Sequence, residues 1–151
     1  MPLLSRCFIR SALVCLAIGF TLGGLMLSAK GGAVDARVWA WLPMHIALLV
    51  NGWLVQLSLG VMYWILPRIH LGDRGRPAWA WSGFVCLQVG LLLALVSGAS
   101  LWIAEAANLF APAMVLQAAG IVLFAVHAWP RIRPAIVRAA QGAGDRTVSN
   151  S

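Results

Sequence analysis

Residues 42–66 read LPMHIALLVNGWLVQLSLGVMYWIL, a run without a single Asp, Glu, Lys or Arg. At 1.5 Å per residue it makes a helix about 37 Å long, enough to cross a hydrocarbon core of ~30 Å. Lipid offers the backbone no hydrogen bonds, so a run of this kind must satisfy its own polar groups as a helix. Three more runs have the same character: 11–28, 78–103 and 107–129. The expectation is an all-α fold, a four-helix transmembrane bundle over residues 1–130. A basic tail, 131–151, follows and is expected to be partly disordered from Gly142 onward.

Composition agrees with this. The chain is 62% hydrophobic and 10% charged, with a mean hydropathy of +0.88. Soluble domains are roughly half apolar and a quarter charged. The net charge of +7 would suggest nucleic acid on a soluble protein. Here the basic residues stand only between and beyond the apolar runs, so they speak for topology and not for nucleic acid.

Orientation follows from their distribution. Arg6, Arg10, Arg68, Arg74, Arg76, Arg131, Arg133, Arg138 and Arg146 fall on one side; Lys30 and Arg37 fall on the other. The side with nine is expected to be cytoplasmic, giving an N-in/C-in, multi-pass protein of the cell's inner (plasma) membrane. Trp39, Trp41 and Trp102 at one boundary, and Trp64, Trp79, Trp81 and Trp129 at the other, form the two aromatic belts this predicts. The first run could alternatively be a cleaved leader, but it is long for one. Gly19 and Gly23 also suit helix packing. The segment 131–141 alternates Arg with apolar residues and suits the membrane surface.

Polar residues at membrane depth are where chemistry would reside. The second run has the most. At ~100° per residue, Gly52, Gln56 and Tyr63 lie within about 20° of His45, while Asn51 and Ser58 share a second face. That helix should therefore pack against protein on two sides. The third run adds Gln88, Ser97, Gly98 and Ser100, and the fourth adds Gln117, Gly120 and His127. The amides Asn51, Gln56, Gln88 and Gln117 read first as interhelical glue. No acid or base within a span can relay protons. The acidic residues Asp35, Asp73, Glu105 and Asp145 all lie outside the spans. Nothing resembles a nucleophilic triad or a phosphate loop. Cys15 and Cys86 act as small hydrophobes. His45 alone stays open between two roles: a metal or haem ligand, or a hydrogen-bonding residue reaching Glu105 or Asn108.

Met44-His45-Ile-Ala-Leu-Leu-Val-Asn51-Gly52-Trp53, followed by Gly60-Val-Met-Tyr63-Trp-Ile-Leu66-Pro67-Arg68, resembles one helix of the haem–copper oxidase subunit I superfamily. The likeness is to its cbb3-type oxidase and nitric oxide reductase branch, and it covers about a sixth of the chain. The resemblance implies that His45 is the axial ligand of a low-spin haem b, and that the protein belongs to membrane electron transport in a respiratory chain. A catalytic subunit I has many more helices and metal-binding histidines than this chain, which has His45, His70 and His127 alone. A complete oxidase is excluded. Two expectations remain. One is an accessory or haem-binding component, with the second axial ligand supplied by another membrane subunit or by His45 of a homo-oligomer mate. The other is a cofactor-free structural or assembly subunit. A chlorin pigment is a further ligand that a lone histidine could take.

Overall fold

The computed structural model describes residues 1–67, 77–98 and 104–149, with side chains at 1–67, 77–98, 106 and 108–132. Every regular element among the described residues is helical. Helix α1 is Leu3–Lys30. A short turn around Gly32, whose φ of 79° needs glycine, leads to Asp35, which accepts the amide of Arg37 and caps the next helix. Helix α2 spans Ala36–Ile65. It opens as a 3-10 turn over Ala36–Trp41, runs as α-helix over Leu42–Ala47, widens to a π-helix over Leu48–Val55 and returns to α over Gln56–Ile65. Helix α3 is Pro77–Ser97. A 3-10 turn, Ala104–Leu109, precedes α4, Phe110–Ser149.

Four helical stretches, Leu3–Lys30, Ala36–Ile65, Pro77–Ser97 and Phe110–Ile132, are long and apolar enough to cross a membrane. Between 22% and 39% of each apolar stretch is buried within the chain. The rest faces outward, including Phe20, Leu92 and Val115, which suits a lipid environment and no aqueous one. Of the belt tryptophans, Trp39, Trp64, Trp79, Trp81 and Trp129 are likewise exposed, while Trp41 is half-buried. Trp102 lies outside the described residues.

Each helix buries one narrow seam. On α1 it runs through Ser5, Phe8, Ala12, Cys15 and Gly19. On α3 it runs through Ala80, Gly83, Leu87, Gly90, Ala94 and Ser97. Alternating steps of three and four are the signature of helices packed closely along one stripe at a small crossing angle. The seam of α2 steps by four instead, through Met44, Leu48, Gly52 and Gln56. Repeated steps of four would drift off one face of an α-helix. The wider i→i+5 turns of the π segment keep them in line.

The chain packs as two hairpins. Helices α1 and α2 lie antiparallel: Gly60 sits against Phe8, Gly52 against Cys15, Gly19 against Leu49, and Gly23 against His45. Helices α3 and α4 come closer still, backbone to backbone. A Cβ placed on Gly83 would stand 2.8 Å from the Gly120 carbonyl, and one on Gly120 would stand 2.8 Å from the Gly83 carbonyl. The hairpins meet over an aromatic core in which the Phe8 ring lies 4.9 Å from Phe84 and 5.7 Å from Phe124, edge on in both cases.

Two boundaries differ from the sequence expectation. Helix α1 begins at Leu3, so the exposed Arg6 and Arg10 ride on its first turns. Helix α4 runs on past Trp129, its backbone helical to Ser149. Pro130 and Pro134 each remove one backbone donor. The strong helix formers Ala139, Ala140, Gln141 and Ala143 carry the helix on.

Candidate functional site

The polar side chains at membrane depth form three tiers between the helices. In the tier nearest the α1–α2 turn, His45 Nδ1 lies 2.9 Å from the Gly19 carbonyl. The partner is thus the α1 backbone and not Asn108, which is exposed; the Glu105 side chain lies outside the described residues. Depth along the bundle does not reveal this partner, because any helical carbonyl can accept a second bond. Glycine at positions 19 and 23 makes the approach feasible. Nearby, Trp41 Nε1 donates to the Gly98 carbonyl at 3.1 Å and ties α2 to the end of α3.

The middle tier is a relay of amides. Ser11 donates its hydroxyl proton to Gln56 Oε1, and Gln56 Nε2 donates to Gln88 Oε1 at 2.6 Å. Three helices are joined by this chain. Asn51 Nδ2 donates to Gln117 Oε1 at 2.8 Å and joins α2 to α4. Gln56 and Gln117 are fully buried, and Gln117 Nε2 has no acceptor among the described residues. The expected pairing of Asn51 and Ser58 on one face does not occur. Ser58 is exposed and donates back to the Leu54 carbonyl, because the π turns between them advance fewer degrees per residue than an α-helix does.

The third tier lies at the end that carries the N-terminus. Ser5 donates to the Gly60 carbonyl. Tyr63 turns toward α4, with its ring 5.6 Å from His127 in a stacked arrangement. It therefore parts from His45, Gly52 and Gln56, with which the helical wheel groups it, since at this end Gly60 has taken over the contact with α1. Below it, Arg131 is 1% exposed. Its guanidinium donates to the carbonyls of Tyr63 at 3.3 Å and Leu66 at 2.7 Å through one terminal nitrogen, and to Pro67 at 3.1 Å through Nε. The same group lies 5.3 Å from the Tyr63 ring centroid. These carbonyls end α2, where partial negative charge collects, so the cation caps the helix. Arg131 counted in the sequence only as a topological charge. Its place on the α4 seam, four residues beyond His127 and seven beyond Phe124, is the signal that marks it.

Among the described residues no three His, Cys, Asp or Glu side chains stand close enough to hold a metal ion. His70 lies outside them. His45 and His127 cannot share an iron: Tyr63, which stacks on His127, is eighteen residues along α2 from His45, about 27 Å at helical rise. The His45 ring packs closely on α1. A Cβ placed on Gly23 would be 2.9 Å from His45 Cε1 and 3.6 Å from each ring nitrogen. The ring therefore aims Cε1 at α1, with one nitrogen on either side. No family model, curated protein or solved structure matches the chain.

Proposed function

We propose that the chain is an accessory subunit of a membrane electron-transfer complex, a structural or assembly component that carries no haem on His45. It sits in the cell's inner membrane with both termini in the cytoplasm. The observation that carries this reading is the pairing of Ser11, Asn51, Gln56, Gln88 and Gln117 with one another, and of His45 with the α1 backbone. Each of these bonds joins one helix to another. The respiratory setting rests on the likeness of the second span to oxidase subunit I. The arginine-rich span ends support the topology. In a blue-native gel of gently solubilised host membranes, the tagged chain is expected to migrate with a haem-bearing respiratory complex. Migration as a free monomer overturns the reading.

One observation favours haem b as a second reading. A proton held on Nδ1 by the Gly19 carbonyl leaves Nε2 with its lone pair, the state of a ligating imidazole. The second axial ligand would come from another subunit or from His45 of a second copy. A reduced-minus-oxidised spectrum of the purified, haem-supplied protein decides between the two. The first reading expects no haem b bands. Bands that vanish in His45→Ala replace it with the second.

A further inference from the structure

Two depressions of the described surface are large enough to weigh as ligand sites. The larger, about 510 Å³, is walled by α2 alone, and its one hydroxyl, Ser58, is already turned back on its own helix. The smaller, about 260 Å³, is a true groove between α1 and α3, with Val14 and Ile18 on one wall, Leu92 and Leu95 on the other, and Leu48 of α2 as its floor. Ligand clefts begin at roughly this size, ~300 Å³. Gln88 lies at one end. It is eleven residues into α3 from Pro77, about 16 Å of helix and so near the middle of a ~30 Å core.

Gln88 is half-used. Its Oε1 accepts from Gln56, while its Nε2 meets no acceptor among the described residues. An amide N–H facing hydrocarbon costs several kcal/mol unless something accepts from it. The groove therefore calls for an apolar occupant carrying one oxygen. A glycerolipid does not fit, because its ester carbonyls stay at the interface, far from mid-membrane. A free lipid-soluble ring with a carbonyl does.

The relay behind Gln88 is reversible. Ser11 Oγ lies 3.0 Å from the carbonyls of both Cys7 and Phe8, as well as within reach of Gln56. If its single proton goes to either carbonyl, both amides can turn over. Gln56 then donates to Ser11 Oγ, Gln88 donates to Gln56, and Gln88 presents an oxygen to the groove. Which way an amide points is set by its network, and this network closes in both directions. The groove end can thus donate to a carbonyl or accept from a hydroxyl.

We infer that the α1–α3 groove binds a lipid-soluble ring ketone and its phenol form, the chemistry of a quinone and its quinol, with Gln88 as the contact residue. This does not rest on the accessory-subunit reading. The test uses the purified full chain in detergent, with decyl-substituted ubiquinone, its quinol, and decylbenzene as the oxygen-free control, followed by equilibrium binding. Saturable one-to-one binding of quinone and quinol is expected, with decylbenzene only partitioning into the micelle. Gln88→Leu should weaken both ligands about tenfold, the worth of one hydrogen bond. Leu92→Trp, on an exposed wall position, should abolish binding and leave the fold intact. If Gln88→Leu does not fold, Leu92→Trp decides alone. Equal, non-saturable uptake by the wild type and Leu92→Trp overturns the proposal. So does undiminished affinity in folded Gln88→Leu, or a Gln88-dependent dimer that takes up no quinone.

Discussion

The two hairpins hold themselves together differently. Between α3 and α4, glycine faces backbone: Gly83 and Gly120 meet each other's carbonyls, and Gly90 meets the carbonyl of Ala113. Between α1 and α2, glycine faces side chains, namely His45, Leu49, Cys15 and Phe8, and polar side chains bridge the gap at Ser5, Ser11 and His45. A backbone-to-backbone contact has no part that can yield, so it fixes distance. At Gly19 and Gly23 the contact is to the outer atoms of Leu49 and His45, which a rotamer change can move, whereas Gly52 and Gly60 meet the Cβ atoms of Cys15 and Phe8, which the backbone fixes. The register at the His45 end must therefore come from directional bonds. In membranes close packing supplies much of helix affinity, and each polar bond adds modestly, ~0.6–2 kcal/mol.

Substitutions that probe this contrast fall in a definite order. Gly120→Ala should cost most, about 3 kcal/mol, since the new methyl meets the Gly83 carbonyl and the Leu87 amide, neither of which can move cheaply. Its unfolding midpoint in detergent should fall accordingly, and an unchanged midpoint would refute the rigid α3–α4 contact. Arg131→Lys should come next, about 2 kcal/mol, because the point-like ammonium lacks the planar fork that reaches Pro67 from Nε and Tyr63 and Leu66 from a terminal nitrogen. Amide exchange should quicken at the end of α2 in that variant. Gly23→Ala should cost only about 1 kcal/mol, since the obstructing atom is His45 Cε1, a ring that can swing away and give up the Gly19 bond. A loss equal to that of Gly120→Ala would erase the difference between the hairpins. Ser58→Ala should be neutral within about 0.5 kcal/mol, its hydroxyl being exposed and bonded to its own helix. Measurable destabilisation there would mean that this face meets protein.

The four helices are legible in the sequence because a membrane span is a composition, and composition needs no tertiary knowledge. The polar residues of the core were legible too, as amides too costly to leave in lipid alone. Their partners were not. Pairing Asn51 with Gln117 and Gln56 with Gln88 requires the rotation of each helix, and a uniform helical wheel assigns Asn51 to the face of Ser58. His45 stood out as the sole histidine of its run, yet its neighbour on α1 is a carbonyl, which no side-chain pattern announces. Arg131 was hidden by its own plausibility. An arginine just past a span explains itself as a topological charge, so its burial against α2 left no anomaly to notice.

The π segment of α2, Leu48–Val55, amounts to a helix that has taken in one residue more than its regular turns would hold. Counted back from the lipid-facing Ser58 in regular α turns, Asn51 would point into hydrocarbon as well. The surplus residue works as a swivel: it converts chain length into rotation, carrying one amide from the oily exterior to a waiting acceptor without disturbing the helix on either side.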